Sequence, residues 1–535
     1  MHPFDRLPRL IHASSRQLLV RLAVTAGLLG AMPVAAFAQQ SLALSQLQLR
    51  YRVLRRATQL DEAKNAELRK LEEAALAARS RGQHGLAFRD LSKAVALLEG
   101  IPWAGPDEFL HSLTLATDTT VCDPVQPLVA RIAQLFPAGW TGELALSAHA
   151  TLEHLAGPNP GARRNRGPVV VLGSFAALPT DLSFAPFRFQ ADLSAVDDGA
   201  YQLAVELRGG EKTLHKLTTP VFLVHGFLAA RRTVEARLKT ISGYDQVQAS
   251  IRYPFDLARV LNLGQTDPVA FDFAAALVKS EQLLASIESG RDPFAGERGN
   301  LARHYFFAEA GEIMPYRVYV PKSYDGTRAV PLIVALHGLG GTEQTFMQQG
   351  NGALPKLAEE HGFIVVTPLG YRRNGGYGRA AIGPLLAPDP LTARMTQLSE
   401  TDVLNVLQRV RAQYRVDARR LYLMGHSMGS NGTWTLGSRH AQLWAALGPI
   451  AGGSSTPSAV PLANLKEHRV AVFCVHGDAD RTAPVEASRA MVAELKSLGV
   501  EHEYVEVPGG THGNVVGPNI PRIVDYFLRH QRTLP

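Results

Sequence analysis

The stretch LYLMGHSMGSNGTW, residues 421–434, sets Ser427 between Gly425 and Gly429. A G-x-S-x-G pattern alone is weak evidence, because glycine-rich turns contain serine by chance. Its neighbours give it meaning. RLYLM ahead of it has the apolar, β-rich character of a buried strand, and SNGTWTLGSRH behind it opens a helix. A serine at a sharp strand-to-helix turn, with glycines where the backbone crowds its neighbours, projects its hydroxyl above a sheet. Ser427 is therefore a candidate nucleophile.

The surrounding grammar supports that context. AVPLIVALHG (329–338), GFIVVTPLG (362–370), LWAALGPIAG, HRVAVFCVHG and HEYVEVPGG read as strands. TDVLNVLQRVRAQY (401–414), EASRAMVAELKSLG and IPRIVDYFLRH read as helices. The strand runs are continuously apolar rather than alternating, as expected of parallel strands covered on both faces. Strand–helix alternation from about residue 305 predicts a doubly wound, mostly parallel α/β sheet.

A serine hydroxyl needs a general base, and the base needs an acid to hold its tautomer. In this architecture the chain order is serine, acid, histidine. Asp480 in VHGDADRTAPV and His512 in VPGGTHGNV follow the ends of successive strands, where chemistry collects in open α/β sheets. Asp478 and His476 are the local alternatives; Asp478 suits a loop brace, and His476 precedes the acid rather than following it. An oxyanion needs two donors. The N–H of Met428 is one, and the glycine-rich LHGLGGTEQTF (336–346) offers the other at Leu339, with Gly338 the alternative. That loop lacks the lysine and hydroxyl of a phosphate cradle, and no H-E-x-x-H or tight His/Cys/Asp cluster occurs. The residues indicate no cofactor and no catalytic metal.

Upstream, residues 39–99 read as a helical hairpin broken at GQHG (82–85), and 100–217 as short strands of a β-rich, sandwich-like region. Residues 218–304 read as a mixed α/β linker module. Its PVFLVHGFLAARR (220–232) imitates a strand ending in His-Gly. No G-x-S-x-G follows it within the next hundred residues, so His225 is not expected to be catalytic. In YRRNGGYGRAAIGPLLAPDP (371–390), Tyr371 and Tyr377 are candidates for stacking on a substrate ring and Arg372 or Arg373 for meeting an acidic group. Trp434 reads as core.

The first 21 residues carry Arg6, Arg9, Arg16 and Arg21 against Asp5, which is +3 of the formal net charge of +7. LAVTAGLLGAMPVAAFA (22–38) follows and ends in an A-x-A pattern. Residues 1–38 thus read as an export signal cleaved near Ala38, the apolar run being short for a stable membrane span. A periplasmic or extracellular protein is expected. The remaining +4 is modest and forms no basic stripe, so neither nucleic acid nor stable membrane insertion is expected. The chain has two cysteines, Cys122 and Cys474. An oxidising compartment permits their pairing, but Cys474 lies in a core-like strand and reads as a small hydrophobe.

LHGLGG (336–341), GHSMG (425–429), GTW (432–434), GPIAGG (448–453), HGDAD (476–480) and THG (511–513) together resemble the α/β-hydrolase superfamily over residues 305–535. Within it the region is similar to secreted esterases such as polyhydroxybutyrate depolymerases and feruloyl or acetylxylan esterases. It also resembles prolyl-oligopeptidase-like hydrolases. The resemblance implies acyl transfer from a small or polymeric ester to water, with a peptidase as the alternative. Ser430 stands where many relatives carry a second glycine.

Overall fold

The computed structural model describes residues 58–533, apart from 102, 104, 139–144, 156–168, 184, 267–270, 380–389 and 455, together with scattered positions from 44 to 55. The expected export signal lies outside the described residues, as does most of the second half of the 371–390 loop.

Helices α1 (Glu62–Ser80) and α2 (His84–Glu99) form a hairpin. Asp61 caps α1 by accepting the Lys64 N–H at 2.8 Å, and Gly100 ends α2 in the left-handed conformation that glycine takes without a Cβ penalty. Leu68 and Ala78 of α1 pack against Ala87, Leu91, Ala94 and Leu98 of α2. A short helix, α3 (Pro106–Ser112), then leads into two sheets.

One sheet has the order β1 (Leu113–Thr117), β3 (Leu128–Gln134), β6 (Phe187–Ala191); the other runs β2 (Val121–Cys122), β8 (Lys212–Leu223), β7 (Gly199–Gly209), β4 (Leu146–His154), β5 (Val170–Leu178). They share a core in which Leu115, Ile132 and Phe189 of the first meet Ala150, Leu203 and Val205 of the second. Strand β8 crosses the expected boundary at 217, because antiparallel pairing with β7 extends to Leu223 opposite Gly199. The PVFLV run thus lies in a mixed sheet, antiparallel to β7 and, at Phe222 and Leu223, parallel to β2.

Helices α4 (Phe227–Leu238), α5 (Asp245–Asn262) and α6 (Phe273–Glu288) form a separate apolar cluster around Phe227, Ile251, Phe255 and Leu284. Helix α5 ties the two halves of the molecule. Its Asn262 Oδ1 accepts the N–H groups of Thr120 (2.7 Å) and Val121 (3.0 Å), while Asp256 Oδ2 accepts the Ile313 N–H (2.7 Å).

The largest sheet has eight strands in the order β9 (Gly299–Phe307), β10 (Glu312–Val320), β12 (Ile364–Pro368), β11 (Val330–Leu336), β13 (Val416–His426), β14 (Ala446–Ile450), β15 (Ala471–Gly477) and β16 (His502–Val507). From β12 to β16 the neighbours are parallel, and β9 and β10 add an antiparallel edge. The sheet starts ahead of residue 305, with β9. Strand side chains alternate between faces. Leu332, Val334, Leu421, Leu423 and Val472 join one core, under α8 (Pro390–Gln413), α9 (Met428–Arg439) and α11 (Val485–Leu498). Ile333, Ala335, Tyr422, Met424 and Phe473 join the other, under α7 (Thr345–His361) and α12 (Val516–Arg529). Both faces are dry, hence the uninterrupted apolar runs in the sequence. The short helix α10 (Ala463–Glu467) completes the set. Chain order reverses at β11, which pairs with β12 on one side and β13 on the other, and open α/β sheets bind ligands at such a point.

Cys122 lies in β2 and Cys474 in β15, in different sheets, and both are free and buried. Burial pushes their thiols up to about 11 and about 12, respectively. A disulfide-exchange reagent should find neither thiol in the native protein and both after denaturation. Rapid native labelling would contradict this packing.

Candidate active site

Strand β13 delivers Ser427 to the C-terminal edge of the sheet with φ 58° and ψ −114°, a left-handed backbone conformation costly for a residue with a Cβ. The Ser427 N–H is anchored to the Ile450 carbonyl at 2.9 Å, and its own carbonyl accepts the Asn431 N–H at 3.1 Å. The flanking glycines are fixed by proximity. A Cβ on Gly425 would lie 2.3 Å from the Gly429 carbonyl oxygen, and one on Gly429 would lie 2.0 Å from that of Leu336. Ser430 fits because it is small and because its buried Oγ donates to the Gly452 carbonyl at 2.9 Å. Trp434 Nε1 donates to the same carbonyl at 3.1 Å, and its ring is buried in the core.

Three of the side chains singled out in the sequence meet here. His512 Nε2 is 2.9 Å from Ser427 Oγ, and His512 Nδ1 is 2.7 Å from Asp480 Oδ2. Asp480 Oδ1 accepts the N–H groups of Thr482 (2.7 Å) and Ala483 (2.9 Å). Burial alone would raise the Asp480 carboxyl, but hydrogen bonds from His476, His512 and the Ala483 N–H outweigh it and hold the group well below the usual carboxylate range. Because the folded-state pKa is depressed, its stabilising contribution is present above the ordinary carboxylate pKa and is lost only as pH falls through that lower value.

Gly338, just ahead of Leu339, lies against the serine: a Cβ there would be 3.3 Å from Ser427 Cβ. The turn bonds of this loop run from Gly341 N–H to the Gly338 carbonyl (2.9 Å) and from Gly340 N–H to the Arg373 carbonyl (3.0 Å), so they do not use the Leu339 N–H. Met428 begins α9 directly after Ser427.

Other residues take different places. Asp478 Oδ1 accepts the Gly509 N–H at 2.7 Å, a loop brace. His225 pairs with Asp198 at 2.7 Å at the end of β8. Tyr377 is fully buried, with its ring against His337 and Gly432, so it is core rather than a stacking platform. Arg372 is sequestered too. It forms a two-pronged pair with Glu312 (2.8 Å for each bond) and donates Nε to the Gln265 carbonyl at 2.8 Å. Tyr371 lies under the Arg372 guanidinium, and Arg373 grips the Gly340 carbonyl.

Sequence reasoning treated His476 only as a rival. The structure makes it a brace, with Nε2 3.2 Å from Asp480 Oδ2 and Nδ1 2.6 Å from Ser488 Oγ. Its i, i+4 spacing to Asp480 was the available signal. His426 was also passed over. Its Nε2 lies 2.8 Å from the His512 carbonyl, and burial, with His512 nearby, lowers it to about 4, so the ring is neutral at pH 7 and donates to that carbonyl.

The doubly wound sheet with its elbow defines an α/β hydrolase. Residues 308–514 match the family model described as "Putative esterase". The chain is 27% identical to Cutinase 1 of Thermobifida cellulosilytica over 237 residues, 44% of this chain and 77% of that protein. It is 30% identical over 172 residues to the bifunctional acetylxylan esterase/xylanase XynS20E of Neocallimastix patriciarum, 32% of this chain but only 22% of that much longer protein. A crystal structure of a thermostable esterase aligns at 18% identity with a TM-score of 0.36, covering 79% of this chain and 100% of the other.

Gly429→Ala should prevent the elbow from closing on β11. The expected outcome is loss of the cooperative thermal unfolding transition of the hydrolase region, checked by calorimetry against the wild-type chain; an unchanged transition would contradict the close approach described above.

Proposed function

We propose that the protein is an exported serine esterase that hydrolyses carboxylic esters through an acyl-enzyme, with Ser427 as nucleophile, His512 as general base and Asp480 as its orienting acid. The observation that carries this reading is the relay from Ser427 Oγ to His512 Nε2 (2.9 Å) and from His512 Nδ1 to Asp480 Oδ2 (2.7 Å), on a backbone that presents the serine at a sheet's C-terminal edge.

His512 Nε2 takes the hydroxyl proton as Ser427 Oγ attacks the ester carbonyl carbon. The N–H groups of Met428 and Leu339 receive the developing oxyanion. Asp480 stays ionised and stabilises the imidazolium. His512 then protonates the departing alkoxide, and water, deprotonated by the same imidazole, releases the acid and restores Ser427. The ordered braces on Asp480 keep its carboxylate fixed, so little reorganisation accompanies charge formation on His512.

Export rests on the first 38 residues, with cleavage near Ala38 and a periplasmic or extracellular site of action. Among the described residues no helix is long and apolar enough to cross a membrane.

Ser427→Ala should lower kcat for a short p-nitrophenyl ester by about 10⁴-fold or more, and Asp480→Asn by about 10⁴-fold, with the thermal transition retained. Undiminished turnover by folded Ser427→Ala protein would overturn the assignment.

A further inference from the structure

A cavity of about 1110 Å³ opens against the segment that follows β11, without including Ser427, His512 or Leu339 in its lining. It exists because the helical layer is docked on the sheet edge. Helices α5 and α6 contribute Tyr253, Leu257 and Leu283 to one wall, β9 and β10 supply His304 and Arg317, and the segment beyond Leu339 closes the third side with Glu343 and Gln344.

Its walls combine an apolar, aromatic lining with an excess of positive charge. The rings of Tyr253 and His304 stack with centroids 4.1 Å apart. Arg303 and Glu297 neutralise each other at 2.8 Å. Arg317, Arg373 and Lys279 remain, against one carboxyl, Glu343. Arg317 donates to the neutral Asn300 Oδ1 at 3.2 Å, and its Nε is buried with no hydrogen-bond partner among the described residues. Arg373 donates to a carbonyl, that of Gly340. Burial lowers the Arg317 guanidinium and raises the Glu343 carboxyl, and the attraction between the two offsets part of each shift. A partly buried guanidinium fork is matched by the two coplanar oxygens of a carboxylate. Glu343 favours a monoanion over a dianionic phosphate, since it would repel the second charge. The Tyr253–His304 stack and Leu257 and Leu283 suit an aromatic or extended apolar body.

We propose that this cavity is a second ligand site, for a small carboxylate with an aromatic body, anchored by Arg317 and distinct from the Ser427 site. The carboxylate faces Arg317, the ring lies along Tyr253 and His304, and Lys279 stands at the exposed mouth. The proposal does not depend on the esterase reading. Arg373 nonetheless places the site next to the active-site loop, since the residue that borders the cavity also holds Gly340.

Isothermal titration of the mature full-length chain with 2-naphthoate tests it, with 2-naphthamide and naphthyl phosphate as comparison ligands. One saturable site for 2-naphthoate is expected, with at least tenfold weaker binding of the amide and of the phosphate. Arg317→Gln should weaken 2-naphthoate at least tenfold and the amide less than twofold. Ala276→Phe, which adds bulk to the cavity from α6, should weaken both ligands and serves if Arg317→Gln does not fold. Absence of saturable 2-naphthoate binding, equal affinity for acid and amide, tighter binding of the phosphate, or binding untouched by the folded variants would each overturn the proposal.

Discussion

The geometry around Ser427 depends on one close approach: the backbone of Gly429 against the Leu336 carbonyl. That contact sets how near the elbow comes to β11, and hence how near Ser427 comes to the loop that follows. A left-handed serine costs about 1–3 kcal/mol, and such strain persists only where the surroundings over-determine it. Here they do. The N–H of Ser427 is tied to β14, its carbonyl to the elbow helix, and the glycines on either side have no room for a side chain. The serine hydroxyl is held against His512 because the rest of the turn is not free to relax.

A second layer of order lies beneath the relay. Gly452 collects hydrogen bonds from Ser430, Trp434 and Ser488, and Ser488 also meets His476, which in turn meets Asp480. The helix that carries the elbow and the loop that carries the acid are thereby referenced to one carbonyl. Ser430, which departs from the glycine of many relatives, is with Trp434 one of two members of this group on α9, so the departure gains a hydrogen bond in exchange for its volume.

The sheet, the elbow and the meeting of Ser427, Asp480 and His512 were legible because each leaves a local mark: continuous apolar runs, glycines at a sharp turn, and polar residues directly after strands. What stayed hidden depended on contacts far apart in sequence. Nothing near Tyr377 or Arg372 says that one is core and the other is committed to Glu312 across the sheet edge. PVFLV reads alike in a parallel and an antiparallel sheet, and here it pairs both ways, with β7 antiparallel and with β2 parallel. His476 looks like a competitor in sequence because its partner, Ser488, sits a helix away. The cavity at α5 and α6 has no motif at all; it is a product of docking.

The region that matches the esterase model does not coincide with the sheet's own limits. The shared region starts at residue 308, just after β9 ends at Phe307, and stops at 514, before α12 begins at Val516. A chain trimmed to those limits would leave β10 with a bare row of backbone donors and acceptors and uncover the face that α12 seals, and such open edges recruit other strands. In this protein β9 occupies the edge of β10, and α5 packs on β9.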